Sequence, residues 1–287
     1  MDSNCIFNKY KIKINKILCL YLITISNSDI RSIVDYALEG GKRLRPMIIY
    51  DISKKIDLPE EICNNLILGI ELLHNASLIL DDMPNMDNDD YRRDKKTVHN
   101  KYGMFKAKVV ANFLFFEALR LFSYYQNNNL VSFRRIIKLM NYVNVNNCSI
   151  CLGQYYDLSL NSSINNLKQH ELINLLNLKT VPLFVISFIS SHVIKNYNDN
   201  ELFILEKCGI DFGYIFQICD DFEDEEKDDK IDKLNNHIKI IGKDASYNLF
   251  IDKRDSLIDH LKKLDLYSNF FKELVNLLNK KISRYNQ

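Results

Sequence analysis

The chain has 287 residues, 47% of them hydrophobic, and can therefore form one large domain or two small ones. Its formal net charge of +1 argues against the strongly basic surface of nucleic-acid-binding proteins. Gly and Pro are scarce, and apolar residues recur at spacings of three and four, with few alternating patterns. The sequence therefore predicts one mostly α-helical domain over residues 1–287.

The N-terminal segment has some features of a signal peptide, because four lysines between residues 9 and 16 precede an apolar run at 17–25. Polar residues interrupt that run, and no small-residue cleavage site follows. An amphipathic first helix is the better interpretation. No stretch of the chain approaches the roughly 20 apolar residues of a membrane span, so none is predicted.

A helix predicted at 30–38 stops at Gly40 and Gly41, and Pro46 can open the next helix. Between them stand three cations, Lys42, Arg43 and Arg45. An arginine there could bind phosphate oxygens in a bidentate manner, with a lysine as a point charge. Taken alone, the pattern is equally typical of an anion clamp and of a solvated turn.

The next predicted helix, 61–82, is apolar and carries His74 and Ser77 towards a first aspartate segment, residues 81–87. A lone helix histidine is usually structural, but His74 lies on the face of Asp81, two turns earlier, and this favours a diphosphate ligand. Asp87 would point about 120° away from Asp81 on a regular helix. Only a break near Pro84 would return Asp87 to the other carboxylates.

Two pairs stand out in the middle of the chain. Cys148 and Cys151 form a CxxC pattern, but with no zinc-type partner they are interpreted as helical core. The total of seven scattered cysteines favours reduced thiols and an intracellular, cytoplasmic protein. Lys179 and Thr180 lie in apolar helical context, where a buried lysine needs an anionic partner. Pro182 predicts a kink just after them.

A second aspartate segment, residues 220–224, follows another apolar helix about 140 residues after the first. On an ideal helix, Asp220, Asp221 and Asp224 share a sector of about 100°, and Gln217 shares it one turn earlier. Single acidic runs are usually solvated surface. Two such clusters facing one another would hold Mg²⁺, which keeps waters and substrate phosphates in its shell. Apolar walls beneath suggest a substrate with an apolar tail and a diphosphate head.

These segments, taken together and in order, resemble the trans-isoprenyl diphosphate synthases, the polyprenyl synthetase family. The motifs that carry the resemblance are Gly40-Gly41-Lys42-Arg43-Leu44-Arg45-Pro46, Asp81-Asp82-Met83-Pro84-Asn85-Met86-Asp87 with Arg92-Arg93, Gly153-Gln154-Tyr155-Tyr156-Asp157, Lys179-Thr180, and Gln217-Ile218-Cys219-Asp220-Asp221-Phe222-Glu223-Asp224. The resemblance covers residues 8–280. It implies an all-α, single-domain helical bundle around a deep central cavity, a homodimer, and three Mg²⁺ ions.

The resemblance also implies the reaction and the residue roles. Isopentenyl diphosphate would be condensed head to tail with dimethylallyl, geranyl or farnesyl diphosphate. The implied metal ligands are Asp81, Asp82, Asp87, Asp220, Asp221 and Asp224. The allylic diphosphate would bind Arg92, Lys179 and Lys233, and isopentenyl diphosphate would bind Lys42, Arg45, His74 and Arg93. Thr180 and Gln217 would supply dipoles near the cationic carbon, completing a catalytic set with Asp81, Asp82, Lys179 and Asp220.

Product length is predicted from the side chains one turn below the first aspartates. Ala76 and Ser77 are small and lie roughly 6 to 8 Å deeper than Asp81 at about 1.5 Å per residue. Farnesyl-making members similar to this chain often carry an aromatic ring at the position of Ala76. The C20 product, geranylgeranyl diphosphate, is therefore favoured over C15, although Phe113 or Phe116 could restore a floor.

Four segments depart from the family pattern and bear on rate, flap closure and product length. They are Asn112-Phe113, Val181-Pro182, Phe222-Glu223 and the segment from Lys233 to His237. Two alternatives therefore stay open. A non-catalytic subunit of a heterodimeric prenyl synthase typically loses one aspartate motif. A class I terpene cyclase normally replaces the second motif with an Asn/Ser/Glu triad and needs no clamp for isopentenyl diphosphate.

Overall fold

The computed structural model describes residues 4–124, 131–161, 169–196, 198–225 and 236–284. Regular structure in these ranges consists of thirteen helices and one short ribbon. The helices are α1 (Asn4–Leu22), α2 (Ser28–Leu38), α3 (Leu44–Lys55), α4 (Glu60–Asp81), α5 (Val98–Tyr102), α6 (Met104–Ser123), α7 (Phe133–Asn161), α8 (Gln169–Lys179), α9 (Val181–Lys195), α10 (Asp199–Glu225), α11 (His237–Ile241), α12 (Lys243–Lys263) and α13 (Asn269–Ser283). The predicted all-α fold is confirmed.

The ribbon pairs β1 (Tyr91–Arg92) with β2 (Lys95–Lys96) in antiparallel register. Its turn places Arg93 at φ 53° and Asp94 at φ 61°. Two consecutive positive φ values define the tight hairpin turns that match strand twist, where glycine or asparagine is usual. The sequence did not predict this hairpin, because its strands are too short for an alternating pattern and its turn has no glycine.

The contacts of the chain group into two compact units, each described here by itself. The first contains residues 1–141 and 190–196. Its central element is α4, which packs against α1, α2, α3 and α6. Leu66, Ile67, Ile70 and Leu72 of α4 are fully buried, as the three- and four-residue apolar spacing predicts. The buried polar side chains of α4, Glu71 and Asn75, lie in its last three turns, where the candidate site begins.

The second unit contains residues 142–189 and 197–287. Its central element is α10, which packs against α8, α11, α12 and α13. Phenylalanines fill its core: the rings of Phe184 and Phe212 lie 4.9 Å apart and those of Phe188 and Phe271 lie 5.8 Å apart. The prediction that residues 1–287 form one domain stays a prediction.

The N-terminal segment forms the predicted amphipathic helix, α1, which buries Tyr10, Ile14, Ile17 and Leu18. Within the described ranges, α4 is the one single helix long and apolar enough to cross a membrane, and the bent pair α8 and α9 meets the same criteria together. The apolar stretch of α4 is 72% buried within the protein. The core helix of a soluble protein meets these criteria equally well.

The interpretation of Cys148 and Cys151 as core residues is wrong. Both lie on a helix, α7, as predicted, but both are exposed. A spacing of three places two residues on one face of a helix without specifying whether that face is buried.

Candidate functional site

The first aspartate segment begins where α4 ends. Proline at position 84 has no backbone donor, and the chain leaves the helix after Asp82. The backbone N–H of Asp87 then donates to the carbonyl of Asp81 at 2.8 Å, and that of Asp89 donates to the carbonyl of Asp82 at 3.2 Å. The segment therefore folds back on the helix end, and the predicted break that returns Asp87 to Asp81 is confirmed.

The buried carboxylate of this segment is Asp82, which is 3% exposed. Its Oδ1 accepts from Arg92 Nε at 2.6 Å and from Arg92 Nη2 at 2.5 Å. Burial raises the pKa of Asp82 above that of a free aspartate, and the guanidinium of Arg92 opposes that rise. The hairpin is thus fixed to the end of α4 by an ion pair between two of the predicted site residues.

Two of the basic residues predicted to bind isopentenyl diphosphate, Arg45 and Arg93, lie close to His74. Arg45 Nη1 lies 3.4 Å from His74 Nε2, and Arg93 Nη1 donates to the carbonyl of Glu39 at 3.3 Å. Burial is the main cause that lowers the pKa of His74 well below 6.5, followed by the charges of Arg45 and Arg93. The imidazole is therefore neutral at neutral pH, and Nε2 can accept from Arg45.

The second ring nitrogen of His74 points to a ligand. Among the residues that the structure describes, the buried Nδ1 has no hydrogen-bond partner. Buried polar atoms are nearly always satisfied by protein, water or a ligand. A diphosphate oxygen held between guanidinium groups would be such a partner. Lys42, the fourth predicted ligand of isopentenyl diphosphate, is exposed on the loop just before Arg43.

One cation of the predicted clamp serves a different purpose. The guanidinium of Arg43 is buried and lies 2.5 Å from Glu71 Oε1. The expectation of three cations sharing an anion clamp is therefore wrong for this residue. Sequence alone could not separate Arg43 from Lys42 and Arg45, because the distinction depends on where Glu71 lies in the folded chain.

A small cleft, partly open to solvent, lies in the first unit beside these groups. It is bounded by α2, the last turns of α4 and the hairpin, with Tyr36, Asn75, Asp82, Arg92 and Arg93 among its lining residues. Two of the three arginines of the predicted diphosphate sites, Arg92 and Arg93, therefore border one recess.

In the second unit, the break between α8 and α9 falls at Thr180, and the two helices bend by 45° there. The predicted kink at Pro182 is confirmed. Thr180 Oγ1 donates to Gln217 Oε1 at 2.9 Å, and Gln217 Nε2 donates to Asp221 Oδ1 at 2.9 Å. Three predicted site residues from distant parts of the sequence thus form one hydrogen-bonded chain.

Lys179, at the end of α8, has the anionic partner that its apolar context requires. Its Nζ lies 2.5 Å from Asp157 Oδ2. Helices α7 and α8 approach closely at Gly153 of α7, where a Cβ would lie 2.8 Å from the backbone of Leu178 and Lys179. Sequence reasoning noted the segment 153–157 but missed Asp157, which sits one turn after that glycine and so faces the lysine.

The remaining predicted site residues are placed as follows. Asp220 is half-buried on α10 and Asp221 is buried, whereas only the backbone of Asp224 is described and Lys233 lies outside the described residues. Ala76 is buried and Ser77 donates to the carbonyl of His74 at 2.9 Å. Phe113 is half-buried, but Phe116 is 66% exposed and forms no floor inside its own unit.

The donor set fits Mg²⁺, a hard cation that takes carboxylate oxygens. Within the described residues, no group of three or more His, Cys, Asp or Glu side chains already surrounds one point. Mg²⁺ is usually bound by one or two carboxylates together with waters and substrate phosphates, so a preformed cage of protein ligands is not required.

Comparison with known proteins agrees with this geometry. The sequence profile of the polyprenyl synthetase family matches residues 27–249. The chain belongs to the polyprenyl synthetase family. The match extends over both compact units and includes the predicted site residues from Lys42 to Lys233. The protein is accordingly a prenyltransferase, as the sequence predicts.

Individual relatives support the assignment to the polyprenyl synthetase family. Farnesyl diphosphate synthase of Micrococcus luteus is 30% identical over 266 residues, which cover 88% of this chain and 89% of the relative. Trans-prenyltransferase of African swine fever virus (isolate Pig/Kenya/KEN-50/1950) is 29% identical over 260 residues, which cover 84% and 74%. The crystal structure of a geranyltransferase from Legionella pneumophila superposes with a TM-score of 0.84 at 23% identity, covering 99% and 98% of the two chains. That likeness shows a shared fold.

The lowered pKa of His74 predicts a pH-dependent loss of stability. Unfolding restores the ordinary pKa of about 6.5, so the unfolded chain binds a proton that the folded chain resists. Stability should therefore fall as the pH drops below about 6.5, until the lowered pKa is reached. Melting temperatures at pH 7.5 and pH 5.5 should differ less in His74→Gln than in the parent. An equal difference in both proteins would show that His74 is not held neutral.

Proposed function

We propose that the protein condenses isopentenyl diphosphate with allylic diphosphates, in a Mg²⁺-dependent reaction, to a short-chain prenyl diphosphate. The observation that carries this proposal is the meeting of Arg45 and Arg93 around a neutral histidine, His74, whose buried Nδ1 lacks a described partner. The aspartate turn that follows the same helix supplies carboxylates for a metal. A terpene cyclase would have no use for a second diphosphate clamp.

In the proposed reaction, the C–O bond of the allylic diphosphate breaks and the alkene of isopentenyl diphosphate forms the new C–C bond. A proton is then lost, with the released diphosphate as its acceptor. Mg²⁺, up to three ions held by Asp81, Asp82, Asp87, Asp220, Asp221 and Asp224, would supply charge that stabilises the departing diphosphate. Arg92, Lys179 and Lys233 would bind the same diphosphate through charge-assisted hydrogen bonds.

The chain Thr180–Gln217–Asp221 would orient dipoles towards the cationic carbon. Because Gln217 donates its amide to Asp221 and accepts from Thr180, its carbonyl oxygen has a fixed direction. A fixed dipole stabilises developing positive charge without reorganising during the reaction. Lys42, Arg45, His74 and Arg93 would hold isopentenyl diphosphate.

The product proposed is geranylgeranyl diphosphate. Small side chains at Ala76 and Ser77 support it, as does the exposure of Phe116, which removes one candidate floor. Relatives such as the Micrococcus luteus protein are named farnesyl diphosphate synthases, which favours C15. The length of the product is the part of the proposal on which the two kinds of support differ.

A cytoplasmic homodimer is also part of the proposal. Helix α6 presents an exposed apolar face with Phe105, Val109 and Phe116 at helical spacing. A face of this kind is typical of a surface that a second copy covers.

Removal of a metal-binding carboxylate should abolish most activity. Asp81→Ala and Asp220→Ala should each lower kcat about 100- to 1,000-fold or more, because charge that stabilises the transition state is lost. Asp259→Ala, an exposed aspartate on α12, should retain parent activity. Turnover would be measured as Mg²⁺-dependent incorporation of isopentenyl diphosphate, and near-parental rates in both site variants would contradict the proposed metal sites.

The clamp residues should act on one substrate. Arg45→Gln should raise the KM for isopentenyl diphosphate about 10- to 100-fold, since a charge-assisted hydrogen bond contributes about 1.5–3 kcal/mol. The KM for the allylic substrate should change much less. Lys54→Gln, an exposed cation on the same helix, is the matched control. Equal effects of Arg45→Gln on both KM values would mean that the two diphosphate sites are assigned wrongly.

Product length can be tested at Ala76. The parent should release mainly the C20 product, and Ala76→Tyr should shorten it to C15, because a ring one turn below Asp81 blocks the growing tail. Products would be resolved by mass spectrometry after dephosphorylation. A parent that already stops at C15 and is unchanged by the added ring would refute the argument from small side chains.

A further inference from the structure

Arg43 is the centre of a buried polar network in the first unit. Its side chain is 6% exposed. Nη1 lies 2.5 Å from Glu71 Oε1, Nε donates to Asn15 Oδ1 at 3.1 Å, and Nη2 donates to the carbonyl of Leu38. One guanidinium therefore joins α1, the end of α2 and α4 to the loop that carries it.

The backbone of Arg43 is as constrained as its side chain. With φ 60° and ψ 25°, it lies in the left-handed region at the residue just before α3. Residues other than glycine are uncommon there. Since Arg45 is the second residue of α3, the conformation of Arg43 sets the direction in which Arg45 leaves the loop.

The partner of Arg43 is equally close to the clamp. Glu71 lies three residues before His74 on α4, so the two side chains leave adjacent turns of one helix face. Asn75 Nδ2 donates to Glu71 Oε1 at 3.2 Å and to its carbonyl at 2.8 Å. The contacts Arg43–Glu71 and Arg45–His74 are therefore two neighbouring cross-links between the start of α3 and the body of α4.

Stability alone explains this ion pair poorly. The free-energy cost of removing two charges from water offsets most of the gain from their attraction. Well-packed apolar residues of similar volume often stabilise a protein equally well. Glu71 also lies among cations, since its charge raises the pKa of Arg93 and so opposes the lowering of that pKa by burial. A single buried carboxylate thus holds together positively charged groups that would otherwise repel one another.

We propose that Arg43 and Glu71 are positioning residues for the isopentenyl diphosphate site. The cross-link that they form fixes Arg45 against His74, with Arg45 Nη1 3.4 Å from His74 Nε2. This inference rests on the proposed function, because Arg43 and Glu71 can position a substrate site only if Arg45 and His74 bind isopentenyl diphosphate. Neither Arg43 nor Glu71 needs to touch the substrate.

The test compares three variants. Glu71→Gln keeps the shape of the side chain but removes the charge. The double variant Arg43→Met/Glu71→Leu replaces the pair by apolar groups of similar size, which restores packing without the cross-link. Tyr10→Phe removes another buried hydrogen bond of the same unit, from Tyr10 Oη to Asp51 Oδ1 at 2.8 Å, and serves as the structural control.

Both site variants should raise the KM for isopentenyl diphosphate about tenfold, within the range of about 0.5–3 kcal/mol for coupled residues. The KM for the allylic substrate and kcat should stay within about twofold of the parent. The melting temperature should fall in Glu71→Gln and recover in the double variant, while the raised KM persists. Tyr10→Phe should lower the melting temperature without changing either KM.

Two results would overturn the inference while leaving the proposed function intact. The first is a KM for isopentenyl diphosphate in the double variant that equals the KM of the parent. The second is a change in both KM values that follows the melting temperature across all three variants. A parent protein that neither binds nor incorporates isopentenyl diphosphate would overturn the proposed function, and this inference with it. Binding of isopentenyl diphosphate measured by calorimetry separates these cases from a loss of turnover.

Discussion

The need to satisfy polar groups on a buried helix determines the layout of the first unit. Helix α4 is surrounded by other helices, yet its last three turns carry Glu71, His74 and Asn75, followed by the buried Asp82. Burying a polar group without a partner costs about 1–3 kcal/mol, and more for a charge. Glu71, His74 and Asp82 each draw an arginine partner from a neighbouring segment, which fixes the loop before α3 and the hairpin in place around the helix end.

The end of α4 shows how capping and site formation can be the same event. The last carbonyls of a helix have no partner within the helix. Here the amides of Asp87 and Asp89 satisfy the carbonyls of Asp81 and Asp82. The hydrogen bonds that cap the helix thus also return the backbone of the aspartate segment to the helix end. Negative charge at a helix C-terminus is unfavourable, so these aspartates need cations, and Arg92 provides one to Asp82.

The sequence predicted the features that depend on local pattern. Apolar spacing located α4 and α10, and Pro84 with the 120° offset of Asp87 required the break at the helix end. The roles of Thr180 and Gln217 followed only from the family resemblance, since their hydrogen bond joins residues 37 positions apart. Spacing along one helix cannot report a contact with another. Assignments of this kind depend on resemblance until a structure supplies the geometry.

The features missed by sequence reasoning share a physical cause. Residue type was the basis for the interpretation of Arg43 and of the pair Cys148 and Cys151, and it did not indicate the hairpin turn. Burial determines the environment of the arginine and the two cysteines, and backbone conformation determines the turn. An arginine between two other cations reads as part of a solvated or anion-binding group. Its real environment is created by a glutamate 28 residues away, which no local pattern identifies.

The arrangement around His74 links stability to ligand binding. Guanidinium groups held close together repel one another, and a protonated imidazole would add a further charge. Burial and those same charges keep His74 neutral. The ring therefore adds no further positive charge to the cations around it. A bound diphosphate would replace repulsion with attraction and would favour the protonated ring. A ligand that binds the folded state stabilises it, so this unit should be more stable when its anion is bound. Under the proposed function, repulsion among the cations of the free protein would therefore favour a multiply charged head group.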